Sequence, residues 1–274
     1  MTPAAADPAT LTAAVVLGYL AIGTLSGFFA GLLGIGGGVI LVPAFAFAFG
    51  LAGFSSEVVF QAALATSMAT ILFTAISSVR SHHGRGGVLW PVVRRFTPGV
   101  LIGTAIGTWI VGVAPTAGLV AFFAVFLLLV AAQLAFDLRP RAERSLPGAA
   151  GLTTAGGLIG MVSALAAVGG GSMTVPFLVW CNVEVRKAIG TAAATGFPIA
   201  IGGTLGYIVN GWGEAAMPSA SLGYIYLPAL FWTVLAAVVT APLGARAAHV
   251  LPGRLLRRVF AVLLVVVAVR MLLA

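Results

Sequence analysis

Two stretches in this chain place unusual chemistry inside apolar sequence. "GIGGGVILVP" (Gly34 to Pro43) and "AVGGGSMTVP" (Ala167 to Pro176) each carry three consecutive glycines and then a proline at the same remove. Glycine disfavours a helix interior by roughly 1 kcal/mol relative to alanine, so three in a row break a helix. A break exposes backbone N–H groups at the start of whatever helix follows, and such groups bind anions without a lysine or arginine. Each triplet is followed downstream by a threonine pair, Thr66 and Thr70, then Thr191 and Thr195. Spacing of i, i+4 puts both hydroxyls of a pair on one helix face, where they can donate to oxyanion oxygens. Ser67 and Ser172 add a hydroxyl each, unmatched in the other half. The candidate anion seat is therefore Gly36, Gly37, Gly38, Thr66, Ser67, Thr70, Gly169, Gly170, Gly171, Ser172, Thr191 and Thr195. Glu57 and Glu184 precede the threonine helices and are the candidates for ion coupling, although helix-start carboxylates commonly just complement the dipole.

The elements that must hold these residues are membrane helices. Of the 274 residues, 61% are hydrophobic and 7% charged, whereas about a quarter of a soluble domain is charged. Leu11 to Leu33, Val58 to Val79, Gly99 to Val113, Ala117 to Phe136 and Leu222 to Ala245 are apolar runs to set against a hydrocarbon core of about 30 Å. None alternates in the manner of a transmembrane barrel strand. The net charge of +8 sits in short tethers rather than in a basic domain, which argues against a nucleic-acid partner. One cysteine, Cys181, excludes an internal disulfide. His82 and His83 stand in a hydrophilic loop and are too few for a metal site, so neither a metal nor another cofactor is expected. No Ser/His or Asp/Asp constellation falls at membrane depth, so no enzyme is read here.

The chain is written twice. "FAVFLLLVA" (Phe123 to Ala131) aligns with "FAVLLVVVA" (Phe260 to Ala268), and "LATSMAT" (Leu64 to Thr70) with "IGTAAAT" (Ile189 to Thr195). Each half holds five hydrophobic segments in one order: a first helix, the triple glycine with a short segment, a long threonine helix, and two more helices. The expected architecture is an all-α polytopic membrane protein with eight to ten membrane segments. It consists of a repeat over 1–138, a cytoplasmic tether over 139–148 and a second repeat over 149–274. The short segments, Val39 to Leu51 and Ser172 to Val183, reach only roughly 20 Å and suit re-entrant hairpins whose glycine tips meet near the midplane. An odd number of segments inverts the second repeat. With that parity, 13 of the 14 Lys and Arg residues face one side and only Arg270 the other, which places the basic loops in the cytoplasm and both termini outside. Trp90, Trp109, Trp180 and Trp212 fall near segment ends, where an interfacial belt accounts for them. Pro198, inside the helix of Thr195, is a candidate kink.

"GFFAGLLGIGGGVILVPAF", "VGGGSMTVPFL" and "RKAIGTAAATG" resemble the sulfite exporter family of TauE/SafE type membrane permeases, and the resemblance covers nearly the whole chain. The second copy begins Ala167-Val168 where the first has Gly34-Ile35. The resemblance implies transport of small sulfur-containing or organic anions, such as sulfite, thiosulfate or sulfoacetate, across the bacterial inner membrane. The expected partners are thus a small anionic substrate and the lipid bilayer. A passive anion channel and a non-transporting membrane scaffold are the alternatives.

Overall fold

A computed structural model describes residues 12–33, 37–136, 144–247 and 253–273. Ten α-helices and one short β-hairpin lie among them: α1 (Ala13–Leu33), α2 (Gly38–Leu51), α3 (Val59–Gly84), α4 (Trp90–Val113), α5 (Thr116–Ala135), α6 (Ala149–Leu165), α7 (Gly171–Trp180), α8 (Val185–Asn210), β1 (Ser221–Leu222), β2 (Ile225–Tyr226), α9 (Leu227–Ala247) and α10 (Gly253–Leu273). Six helices among the described residues, α1, α3, α4, α5, α8 and α9, contain stretches long and apolar enough to cross a bilayer. Their outward faces carry large apolar side chains such as Leu17, Ile102, Trp109, Leu129 and Val239. Such a surface suits lipid and would be unfavourable in water.

Two boundaries differ from the apolar pattern of the sequence. α4 starts at Trp90, well before Gly99. Pro91 sits in its first turn, where a missing N–H costs nothing, and Arg94 and Arg95 are exposed on the helix rather than in a loop. The run beginning at Leu222 does not enter α9 directly. Gly223, at φ +57°, helps turn the chain between β1 and β2, in which Ser221 pairs with Tyr226 and Leu222 with Ile225. α8 continues through Pro198.

The short helices α2 and α7 each fold back on the helix before them. The Tyr19 ring, near the start of α1, meets the Phe45 and Phe49 rings near the end of α2, with centroids 6.5 and 6.4 Å apart. Gly37, at the start of α2, faces Ala30 and Ser26 late in α1. In the second half, the Arg144 amide ahead of α6 donates to the Trp180 carbonyl at the end of α7, and its guanidinium lies 4.7 Å from the Trp180 ring centre. Ser163, late in α6, lies beside Gly170 at the start of α7. At 1.5 Å per residue, α2 and α7 span roughly 21 and 15 Å, whereas α3 and α8, of 26 residues each, span roughly 39 Å.

Helix pairing follows a simple rule. α4 packs on α6 and α1 on α9; α5 packs on α10 and α3 on α8; α2 lies on α3 and α7 on α8; α4 also meets α8, and α3 meets α9. Exchanging each of the first five helices for its counterpart among the second five maps this set onto itself. Small residues permit the closest crossings. Along α4, Gly99, Gly103 and Gly107 face in turn Thr153, Gly157 and Met161 of α6, so the two helices run parallel. Gly23 and Gly27 of α1 face Thr233 and Ala237 of α9 in the same sense, and Thr104 and Thr108 of α4 meet Gly202 and Gly206 of α8.

A Cβ at Gly103 would overlap the Gly157 carbonyl, whereas one at Gly50, exposed near the end of α2, would meet nothing within 4 Å. Gly103→Val should therefore destabilise the protein by about 1–3 kcal/mol through overpacking. Gly50→Ala should be neutral or stabilising by up to about 1 kcal/mol. Melting temperatures of the purified variants in detergent, in that order below and at or above the parent, check both.

Candidate functional site

The two glycine turns touch. A Cβ placed on Gly38 would overlap the Ala167 carbonyl, and it would come within 3.2 Å of Ile71 Cδ1. Ile71 also faces Gly169, whose carbonyl lies against Gly196 of α8. Ile71 and Gly196 are close to the middles of α3 and α8. Both turns therefore lie between the midpoints of the two longest helices. Only glycine at 38 lets the backbones approach this closely.

The second turn is built from left-handed residues. Ala167 has φ +45° and Gly170 φ +76°. The Val168 amide donates to the Ser163 carbonyl at 2.9 Å and the Gly170 amide to the Val168 carbonyl at 2.8 Å, while Met173 and Thr174 amides return to Gly170 at 3.1 and 2.7 Å. Among the described residues, the amides of Gly169, Gly171 and Ser172 have no acceptor. In the first turn, Ile40 and Leu41 donate to the Gly37 carbonyl at 3.1 and 2.9 Å, and Gly38 and Val39 likewise have none. These are the free N–H groups expected of any helix start, with Gly38 and Val39 buried and Gly169, Gly171 and Ser172 half-buried. Gly36 lies outside the described residues.

Each of the four threonines has a hydrogen-bond partner within the protein. Thr70 Oγ1 donates to the Thr66 carbonyl at 2.8 Å and Thr195 Oγ1 to the Ala192 carbonyl at 3.0 Å, the usual back-bonding of a helical threonine. Thr66 Oγ1 accepts from the Tyr226 amide at 3.1 Å, and Thr191 Oγ1 from the Leu89 amide at 2.9 Å. Tyr226 immediately precedes α9, and Leu89 immediately precedes α4. At matched positions the two threonines thus hold the start of matched helices, each in the other half. Gly190, one residue before Thr191, is pressed against Gly87 in the same crossing.

Hydroxyls without partners lie elsewhere. Ser67 and Ser172, both named from sequence, have buried oxygens with no hydrogen bond, and so do Ser163, Thr174 and Thr204. Ser163 and Thr174 escape a search based on repetition because the first half has Ala30 and Leu41 in their places. Glu57 and Glu184 are exposed at the starts of α3 and α8, remote from the turns along those helices. No cluster of three or more His, Cys, Asp or Glu side chains suited to a metal occurs among the described residues. Cys181, just past α7, is buried; burial pushes its thiol pKa up, and the Arg144 guanidinium opposes the shift. An apolar cavity of about 270 Å³ between Ala14, Gly18 and Tyr19 of α1 and Ala48, Leu51 and Ala52 sits at the far end of α2 from the glycines.

Residues 19–271 match the sulfite exporter TauE/SafE family. The chain belongs to that family. A probable membrane transporter protein of Haemophilus influenzae is 36% identical over 94% of this chain and 98% of its own length. Probable membrane transporter proteins of Methanocaldococcus jannaschii and Bacillus subtilis are 24% and 23% identical, over 92% and 74% of this chain and 93% and 83% of their own lengths. No solved structure matches. This TauE/SafE chain is a multi-pass membrane transporter.

Replacing Thr66 or Thr191 by valine removes the hydroxyl that accepts from the Tyr226 or the Leu89 amide, at a cost of about 1–3 kcal/mol. Each variant should melt lower than the parent, and serine at either position should recover most of the loss. Thermal unfolding of the parent and the four purified variants checks this.

Proposed function

We propose that this transporter carries small sulfur-containing or organic anions, such as sulfite, thiosulfate or sulfoacetate, by alternating access, with the anion held between the two glycine turns. The observation that carries the reading is the contact of Gly38 with the Ala167 carbonyl, because it brings together the starts of α2 and α7. These helices run from that point toward opposite ends of the bundle. Their N-terminal partial charges add at one place, as in the broken helices that hold substrate in other transporters. Separation of charge by backbone amides suits an anion that must also leave, since a fully desolvated ion pair with arginine would hold it more tightly.

The turns belong to two inverted repeats, 1–138 and 149–274, joined by the tether 139–148. Helix directions support this: α4 runs parallel to α6 and α8, and α1 parallel to α9, while the short loop 85–89 reverses the chain between α3 and α4. The protein lies in the bacterial inner membrane with basic loops cytoplasmic and both termini outside, the arrangement that collects all cationic residues but Arg270 on one side. Rocking of one repeat against the other would expose the seat to each side in turn. Thr66 and Thr191, which tie each repeat to a helix of the other, are placed to keep the halves registered during that motion.

A Cβ on Gly37 meets Leu41, Ala30 and Ser26 only at ordinary contact distances, 3.4 Å or more, so Gly37→Leu should insert and fold while crowding the first turn against α1. In proteoliposomes the parent should show saturable counterflow of labelled sulfite or sulfoacetate, and Gly37→Leu should lose at least about nine-tenths of it. Unsaturable flux without counterflow would indicate a channel. Full activity in the variant would remove the turns from the transport path.

A further inference from the structure

One side chain lies against both glycine turns. Ile71, near the middle of α3, brings its Cδ1 within 3.2 Å of where a Cβ on Gly38 would stand, and its Cγ2 within 3.1 Å of the same point on Gly169. The amides of Gly38 and Gly169 have no acceptor among the described residues, so an alkyl group is packed against two free donors. Ser67 stands one helical turn before Ile71 on the same face of α3. Its hydroxyl is 0% exposed and has no hydrogen bond. Donors buried beside hydrocarbon are costly unless something accepts from them. Ile71 thus stands where a solute rich in acceptors would relieve its neighbours.

The repeat supplies no second copy of this side chain. In the register that sets Thr70 on Thr195, Ile71 falls on Gly196. A Cβ on Gly196 would come within 2.6 Å of the Gly169 carbonyl oxygen, so α8 meets the second turn with bare backbone. The two contacts of Ile71 also differ in freedom. Cδ1 leaves Gly38 by rotation about χ2, a change of rotamer that moves no backbone. Cγ2 is held by χ1, which for a β-branched residue in a helix has one strongly preferred value. It leaves Gly169 only when α3, in the first half of the chain, and the second turn move apart.

We propose that Ile71 is the gate of the anion seat, an assignment that rests on the anion-transport reading above. Without solute the side chain fills the meeting point of the turns and shields their amides. An entering anion takes the place of Cδ1, and the release of Cγ2 from Gly169 ties full opening to movement of one half against the other. The anion binds only those molecules in which Ile71 has swung away, and its apparent affinity is lowered by that fraction.

Calorimetric titration of the full-length protein in detergent with sulfite and with sulfoacetate tests this on Ile71→Ala and Ile71→Val. Ile71→Ala should melt below the parent, because buried methyl groups are lost, and yet bind each anion about tenfold tighter, because nothing has to be displaced. Valine keeps Cγ2 and lacks Cδ1, so Ile71→Val should bind about threefold tighter with little loss of stability; it decides the matter alone if Ile71→Ala fails to fold. A residue that only fills the core would lose stability on truncation and gain no affinity. Binding seen in the variants with the parent too weak to measure is the gate in its strongest form. Affinity in both variants equal to or weaker than that of a parent that binds overturns the gate and leaves the anion seat standing. Binding of neither anion by the parent or the variants overturns both.

Discussion

A polypeptide that stops being helical inside a lipid bilayer must bury its unpaired amides and carbonyls in protein or against a solute, since hydrocarbon offers no partner. This constraint organises the whole molecule. The chain breaks at glycines after α1 and after α6, and the two breaks are placed against each other, with the Gly38 backbone on the Ala167 carbonyl. α3 and α8, the longest helices together with their buried faces of alanine, glycine and threonine, then enclose the pair. Neither break would be tolerable alone on a lipid-facing surface.

The same demand explains the threonines. The amides of Leu89 and Tyr226, just ahead of α4 and α9, find acceptors in Thr191 and Thr66 on the long helix of the opposite half. Each half thus completes the other, in keeping with crossed pairings such as α1 with α9 and α4 with α6. Leaving the hydroxyls of Ser67, Ser163, Ser172, Thr174 and Thr204 unpaired is costly for a core, and two of them, Ser163 and Thr174, lie beside Gly170.

Much of this was legible in the sequence because its causes are local or repeated. Apolar length fixed the membrane class, and α2 and α7 begin at Gly38 and Gly171, the last glycine of each triplet. The threonines were legible as a matched pair but not in their role: that depends on Leu89 and Tyr226, distant in sequence, arriving at their hydroxyls. Ser163 and Thr174 were invisible to a reading that weighed only what both halves share, since Ala30 and Leu41 stand in their places in the first half. The start of α4 at Trp90 was hidden by Arg94 and Arg95, which a hydropathy reading assigns to a loop although their exposed heads are readily solvated from a helix end. The β-hairpin was hidden for the converse reason, its residues being apolar enough to pass for the beginning of α9.

The central claim is that the meeting point of the turns is a solute seat reached from both sides of the membrane. The most direct measurement places a single cysteine at Ser172, with Cys181→Ser as background, and applies a membrane-impermeant cationic thiosulfonate reagent from one side or the other of oriented vesicles. The account predicts labelling from each side, slowed by sulfite or sulfoacetate. Labelling from one side only, or the same rate with and without anion, would contradict it.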